Sequence, residues 1–273
     1  VIEFKALRSK RGYLVYISRT YPSMCPYLKG IHQTLESWRP YKKEDGWNMS
    51  AKEIKEAQMI EGDEEDDPAQ EPTKAPAEVV AVRRLRSDVD VLMVLTEGPM
   101  PNKRKVRPSF SAVATYCFGD AFGKGFGSSL SINGSLVFRH GQWSKEMEEE
   151  TSNYGELANL VFTVEESASE RLLDDCELFL FTDNTTAESA FYKGTSSVKP
   201  LFDLMLRLWK PQQMNGNLMI HMIHIAGIRM IAEGTDDLSR RSILQGVMAG
   251  NSMLSHIPLH LSAQQIQPDV TDW

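Results

Sequence analysis

Apolar residues first recur along this chain at helical spacing. In PYLKGIHQTLESWRPY, Leu28, Ile31, Leu35 and Trp38 are spaced to share one helix face. Ser50 and Glu53 in SAKE then form a capping-box pattern opening a short helix over residues 51–60. Val82, Leu85, Val89, Leu92 and Leu95 predict a further amphipathic helix over 79–96. From Ser111 the period changes to that of strands. SAVATYCFG and GFGSSLSI join through a Gly-rich turn, and SLVFRHGQW follows after Asn133-Gly134, a hairpin dipeptide. A helix is predicted from Asn153 to about Arg171, then the apolar strand CELFLFTD, a helix opening at Asn184 and another over Leu201 to Trp209. LMIHMIHI reads as a fifth strand, followed by a last helix near Thr235 to Ala249. Three antiparallel strands, then strands alternating with helices, predict an α/β mixed five-stranded sheet flanked by helices and preceded by a small, mostly helical region.

Between these regions lies EGDEEDDPAQEPTKAPAE, residues 61–78, with almost no large apolar side chain. Such a segment buries too little to offset its ordering entropy and reads as a disordered linker. The expected organisation is therefore a basic helical region over 1–60, the acidic linker over 61–78, and a helix with a basic connector over 79–110. The α/β domain spans 111–250, with a tail over 251–273.

The net charge of −7 is unevenly distributed. Residues 1–60 carry 11 Lys/Arg against 6 Asp/Glu, while residues 111–273 carry 11 against 20. Affinity for a phosphate backbone follows local rather than net positive charge, so the first part is the expected phosphate-tracking surface. Lys103, Arg104, Lys105 and Arg107 are candidates for such contact, against the plainer reading of a solvated connector. Cys25, Cys117 and Cys176 lie far apart and outside any C-x-x-C pair, which argues against disulfides or structural zinc and fits a reducing intracellular compartment, cytoplasm or nucleus. The opening VIEFKALRSKRG contains no signal peptide or membrane helix, and no membrane partner is expected; the chain reads as a soluble piece of a longer polypeptide.

Four acids fall at the ends or faces of the predicted elements: Asp120 closing the first strand, Glu156 in the first turn of the helix after the meander, Asp183 ending the fourth strand, and Asp236 before the last helix. One Asp at a strand end is ordinarily a turn or cap residue. Two that each end a strongly apolar strand, with two more nearby in the order of the fold, suit two divalent ions about 3.5–4 Å apart in phosphodiester hydrolysis. All-oxygen donors favour hard cations.

The segments YCFGDAFGKGFGSSL, WS followed by NYGELANLV, LFLFTDNTTAESAFYKG, and HIAGIRMIAEGTDDLSR resemble, in order, the motifs of RNase H domains in retroelement reverse transcriptases, particularly the DIRS-like retrotransposons. The basic N-terminal stretch resembles more weakly the thumb or connection region preceding such domains. The resemblance implies an RNase H-like fold and cleavage of RNA in RNA:DNA hybrids. It also implies two magnesium ions, or manganese in their place, on Asp120, Glu156, Asp183 and Asp236, with the rest of a reverse transcriptase as partner. His224 matches the family's mobile histidine beside the metals. No polymerase palm motif is present. The chain departs from the pattern where His224 and Asp236 stand twelve residues apart rather than ten; the closing D-x-L-S-R favours Asp236 over its neighbour Asp237. A non-catalytic connection domain and a strand transferase of the same fold are the alternatives; the latter usually runs Asp, Asp, Glu along the chain.

Other conspicuous residues have plainer readings. Gly119, Gly123, Gly125 and Gly127 join two strands and lack a G-K-[ST] ending, so they read as a hairpin rather than a nucleotide loop. Leu201 to Trp209 reads as core rather than a base-stacking platform. Glu146, Glu148, Glu149 and Glu150 read as a solvated loop. Alternation places His221 and His224 on opposite faces, so at least one is structural. Asn184 and Thr185 are candidates for the 2′-hydroxyls that mark RNA, or equally for caps.

Overall fold

The computed structural model describes residues 1–60, 74–97, 113–132, 135–214, 218–232, 235–240 and 261–265. Residues 61–73 of the acidic tract, Lys103, Arg104, Lys105 and Arg107, the Asn133-Gly134 turn and most of the chain beyond 240 lie outside them. The chain divides into two units, Val1–Val106 and Arg107–Trp273.

In the first unit, β1 (Ile2–Glu3) leads into α1 (Phe4–Ser18); a 3-10 turn over Pro22–Leu28 precedes α2 (Lys29–Glu36), and α3 (Ala51–Ile60) follows. The predicted capping box is formed at α3: Ser50 N–H donates to Glu53 Oε2 at 2.7 Å, and Glu53 N–H donates to Ser50 Oγ at 3.3 Å. After the acidic tract, β2 (Glu78–Val79) pairs antiparallel with β1, so Glu78 belongs to a strand and not to the linker. The helix expected over 79–96 is α4 (Arg84–Glu97). Met24, Leu28, Ile31 and Leu35 pack with Val82, Leu85 and Leu92. A charged group enters this core: Asp88 is buried and accepts from Gly30 N–H at 2.8 Å and Arg84 Nε at 2.9 Å. Val89, expected on the apolar face, is exposed instead.

The second unit is built on β3 (Val113–Phe122), β4 (Gly125–Ile132), β5 (Ser135–Gln142), the short α5 (Lys145–Glu148), α6 (Ser152–Ser169), β6 (Cys176–Thr182), α7 (Thr185–Lys193), α8 (Lys199–Met214), β7 (Met219–His224), α9 (Gly227–Ala232), α10 (Thr235–Ser239) and β8 (Leu261–Gln265). The sheet order is β7-β6-β3-β4-β5-β8. β3, β4 and β5 form the expected antiparallel meander, and β6 and β7 add in parallel beside β3. The predicted mixed five-stranded sheet flanked by helices is present, in the strand order β5-β4-β3-β6-β7. It carries one addition: β8 pairs parallel with β5, within residues read from sequence as a tail. The alternation of Leu261 and Ala263 with Ser262 and Gln264 is short and weakly apolar; the backbone of β8 closes the hydrogen-bonding edge that β5 would otherwise present.

Helix limits follow local chemistry. Thr151 caps α6 by accepting from Tyr154 N–H, and Asn184 caps α7 by accepting from Thr186 and Ala187 N–H. Gly194 ends α7 at φ 62°, the left-handed position that favours glycine. Inward residues of β6 (Cys176, Leu178, Leu180) pack with Leu157, Leu160, Val161 and Val164 of α6 and with Leu204, Met205 and Leu208 of α8. Trp209 joins this core and stacks on Phe191 with ring centroids 5.4 Å apart, as its helical spacing predicted. Cys117 and Cys176 are buried free thiols.

α10 lies directly on β4. A Cβ placed on Gly127 would stand 2.4 Å from Leu238 Cβ and 2.8 Å from Ser239 N, distances at which something must shift. Gly127→Ala should therefore destabilise the second unit by roughly 1–3 kcal/mol, measured by denaturant melting. An unaltered midpoint would show that the α10–β4 contact is looser than described.

Candidate active site

The parallel register of β3 and β6 makes Phe118 and Phe181 partners, and an aspartate follows two residues after each. Asp120 and Asp183 thus arrive at the same end of the sheet. Asp120 lies two residues inside the end of β3, opposite Gly127, rather than closing the strand. Asp183 directly follows β6 and is exposed.

Glu156 is the fifth residue of α6 and so opens its second turn, not the first as expected. Gly119 lets this helix approach, since a Cβ there would meet Leu160 Cδ2 at 2.7 Å. Asn159, buried on the same helix, donates through Nδ2 to the carbonyls of Asp120 at 2.9 Å and Gly127 at 2.8 Å. It ties the helix carrying Glu156 to the strand carrying Asp120 and to its neighbour. Asp236 lies within α10, which Gly127 admits onto the sheet from the other side in sequence. Ser239 on α10 closes the arrangement by donating to Asp120 Oδ2 at 3.2 Å.

The electrostatics bind these four acids into one neighbourhood. Burial pushes the Asp120 carboxyl above its ordinary value, and the charges of Asp183 and Asp236 push it further, against hydrogen bonds from Ser239 and Ala121. Burial likewise raises Glu156; the Ser152 hydrogen bond opposes, while Asp183 and Asp120 add to the rise. Arg240 meets part of the excess, donating to Asp236 Oδ1 at 2.9 Å and lying 4.5 Å over the Phe122 ring.

Among the described residues, no three His, Cys, Asp or Glu side chains are arranged to hold a metal ion as they stand. The donor set nevertheless suits one. Its oxygens are hard donors, and their mutual repulsion is what a divalent cation would relieve. Asp237 shares α10, but its side chain lies outside those described.

The other candidates fall differently. His224 is exposed at the end of β7, opposite Thr182 and so next to the strand end that carries Asp183. His221 stacks on Phe179 at 4.9 Å and is the structural member of the pair. Asn184 is buried, with its oxygen committed to capping α7 and its amide donating to the Asn153 carbonyl at 3.3 Å. Its side chain caps α7 and also hydrogen-bonds Glu156, which sets it beside the carboxylates; Thr185 is exposed at the first position of α7. Sequence reasoning missed Asn159, Ser239 and Arg240. An Asn inside the apolar run of α6 was the available signal, because that residue suits a helix interior poorly unless its amide has a purpose.

No family model and no curated protein matches the chain. Among solved structures it is similar to RNase H1 from the halophilic archaeon Halobacterium salinarum NRC-1, at 17% identity and TM-score 0.36 over 48% of this chain and 96% of that one. It is similar to LC11-RNase H1 in complex with an RNA/DNA hybrid at 18% identity and TM-score 0.34, covering 47% and 94%. The foamy viral protease-reverse transcriptase in complex with an RNA/DNA hybrid follows at 13% and TM-score 0.35, covering 70% of this chain and 28% of that chain.

Because the folded-state carboxyl of Asp120 is raised, the native state holds its proton more tightly than the unfolded chain. Its contribution to stability is therefore lost as pH rises from the ordinary aspartate range through the raised value. Asp120→Asn should stabilise the metal-free protein at pH 7 by a few degrees in melting temperature, and the gain should shrink as pH falls toward 4. A variant that melts lower at pH 7 would contradict this account of the cluster.

Proposed function

We propose that the chain is a metal-dependent endoribonuclease that cuts the RNA strand of RNA:DNA hybrids, as the RNase H part of a retrotransposon reverse transcriptase. The observation that carries this reading is the convergence of Asp120, Glu156, Asp183 and Asp236 at one end of the sheet, coupled through their charges and held by Asn159 and Ser239. These four carboxylates would hold two magnesium ions, or manganese. When bound, such a pair supplies activation of water and neutralises charge on the leaving oxygen.

The chain's own residues have distinct tasks in this scheme. Asp120 is fixed on a strand by two hydrogen bonds, so its oxygens are presented with little freedom. Asp183 is solvent-exposed, as a group that meets substrate must be. Arg240 neutralises Asp236 in the conformation described. His224, exposed beside the strand end that precedes Asp183, is placed to carry a proton to or from the reacting groups. The partner would be the remainder of the polymerase polypeptide, and the site of action intracellular, where such hybrids form. Among the described residues no helix is long and apolar enough to cross a membrane.

Incubating the full chain and magnesium with labelled RNA:DNA hybrid, duplex DNA and duplex RNA tests the reading. Cleavage of the hybrid's RNA strand alone is expected, and chelation should stop it. Asp183→Asn should lower the rate by about 10²-fold or more while melting within a few degrees of the wild type, because the side chain is exposed. An equally active variant would remove Asp183 from the site, and a chain that cuts no hybrid would leave a connection domain as the better reading.

A further inference from the structure

The first unit contains a cleft of about 560 Å³ between α1, α2 and the segment after α2, lined among others by Arg8, Arg11, His32, Glu36, Trp38 and Arg39. Its charge is selective. Residues 1–60 contain four arginines and seven lysines; three of those arginines line the cleft and no lysine does. A solvated basic face has no reason to sort the two residue types in this way. Guanidinium differs from ammonium in offering a planar fork of donors that matches phosphate oxygens.

The three arginines outnumber the one acid that lines the cleft, Glu36, which feels the charge of Arg39. Among the described residues none of the three forms an ion pair with an acid. The one carboxylate lining the cleft, Glu36, is engaged by Lys42 Nζ at 3.0 Å. Arg11 is aimed rather than loose: its Nε donates to His32 Nδ1 at 3.1 Å, which fixes the guanidinium plane. That bond needs an unprotonated Nδ1, and burial together with the Arg11 charge holds His32 below its ordinary value, so the imidazole leaves the cleft's charge to the arginines. Arg39 lies 5.5 Å from the Trp38 ring, which restrains the third guanidinium.

We infer that this cleft is a phosphate-binding site, in which Arg8, Arg11 and Arg39 take the phosphate groups of a nucleic-acid strand or of a small phosphorylated ligand. It belongs to the first unit alone and stands independently of the carboxylate site.

The test uses the full chain in chelator, so that no cleavage intervenes, and a labelled 20-nucleotide single-stranded DNA followed by fluorescence anisotropy over a salt series. Arg8→Ala/Arg39→Ala removes two exposed charges without touching the Arg11–His32 bond, and its melting temperature should match the wild type. Affinity should fall about tenfold or more, and the slope of log affinity against log salt should lessen by about 1.4, the release expected for two phosphate contacts on a single strand. Lys52→Ala/Lys55→Ala, on α3, removes the same charge from the same unit and should change affinity less than twofold. Competition separates the sources of phosphate. Displacement of the strand by micromolar nucleoside triphosphate assigns the cleft to a small phosphorylated ligand, and resistance to millimolar nucleotide or inorganic phosphate assigns it to a polynucleotide backbone. An unchanged affinity and salt slope in the arginine variant, or an equal loss in the lysine variant, would overturn the proposal.

Discussion

Repulsion among Asp120, Glu156, Asp183 and Asp236 is the constraint around which the second unit is organised. Acids brought to one partly buried place disfavour the folded state: burial first, and the neighbouring charges after it, raise the carboxyls of Asp120 and Glu156. Something else in the structure must hold them there. The sheet register fixes two of the acids: β3 and β6 lie in parallel, so residues the same distance along each strand finish together. The other two are fixed by close approach. Bare backbone at Gly127 lets α10 settle onto β4 with its own backbone within contact distance, and Gly119 leaves room for the Leu160 and Asn159 side chains of α6.

Polar connections then hold what packing brings near. The Asn159 amide reaches two carbonyls on adjacent strands, while the Ser239 hydroxyl joins α10 to Asp120. Both residues are buried, where a hydrogen bond left unmade is expensive, so these contacts restrict the geometry more than exposed ones could. Arg240 answers the same excess of negative charge from the exposed side of α10. The arrangement is a folded state carrying electrostatic stress, which a divalent cation, if bound as proposed, would relieve. Function and stability pull in opposite directions at this end of the sheet, as they commonly do at sites that bind charge.

The two units divide charge as well as chain. Four acids gather at one end of the sheet in the second unit; three arginines gather in a cleft of the first unit. A protein handling a polyanion needs both signs, because a carboxylate cluster repels phosphate until cations offset it. Positive side chains elsewhere must supply the attraction.

Much of this was written in one dimension. The change from helical to alternating period marked the α/β unit and singled out Asp120 and Asp183 as candidates, because strand period is a local property of sequence; where β3 ends, two residues beyond Asp120, was not. The capping box at Ser50 and Glu53 was equally legible, being complete within four residues. Tertiary structure alone decided the rest. Asn184 proved a buried cap, since its side chain finds partners on α7 and at Asn153 that no local pattern displays. Asn159 acquired its role only when α6 crossed two strands. The arginines at positions 8, 11 and 39 became a cluster only when α1 folded beside α2. β8 was invisible because pairing at a sheet edge is satisfied by backbone atoms, which every residue carries alike. Period belongs to the chain; convergence of distant side chains belongs to packing, and it is packing that turns separate charges into a site.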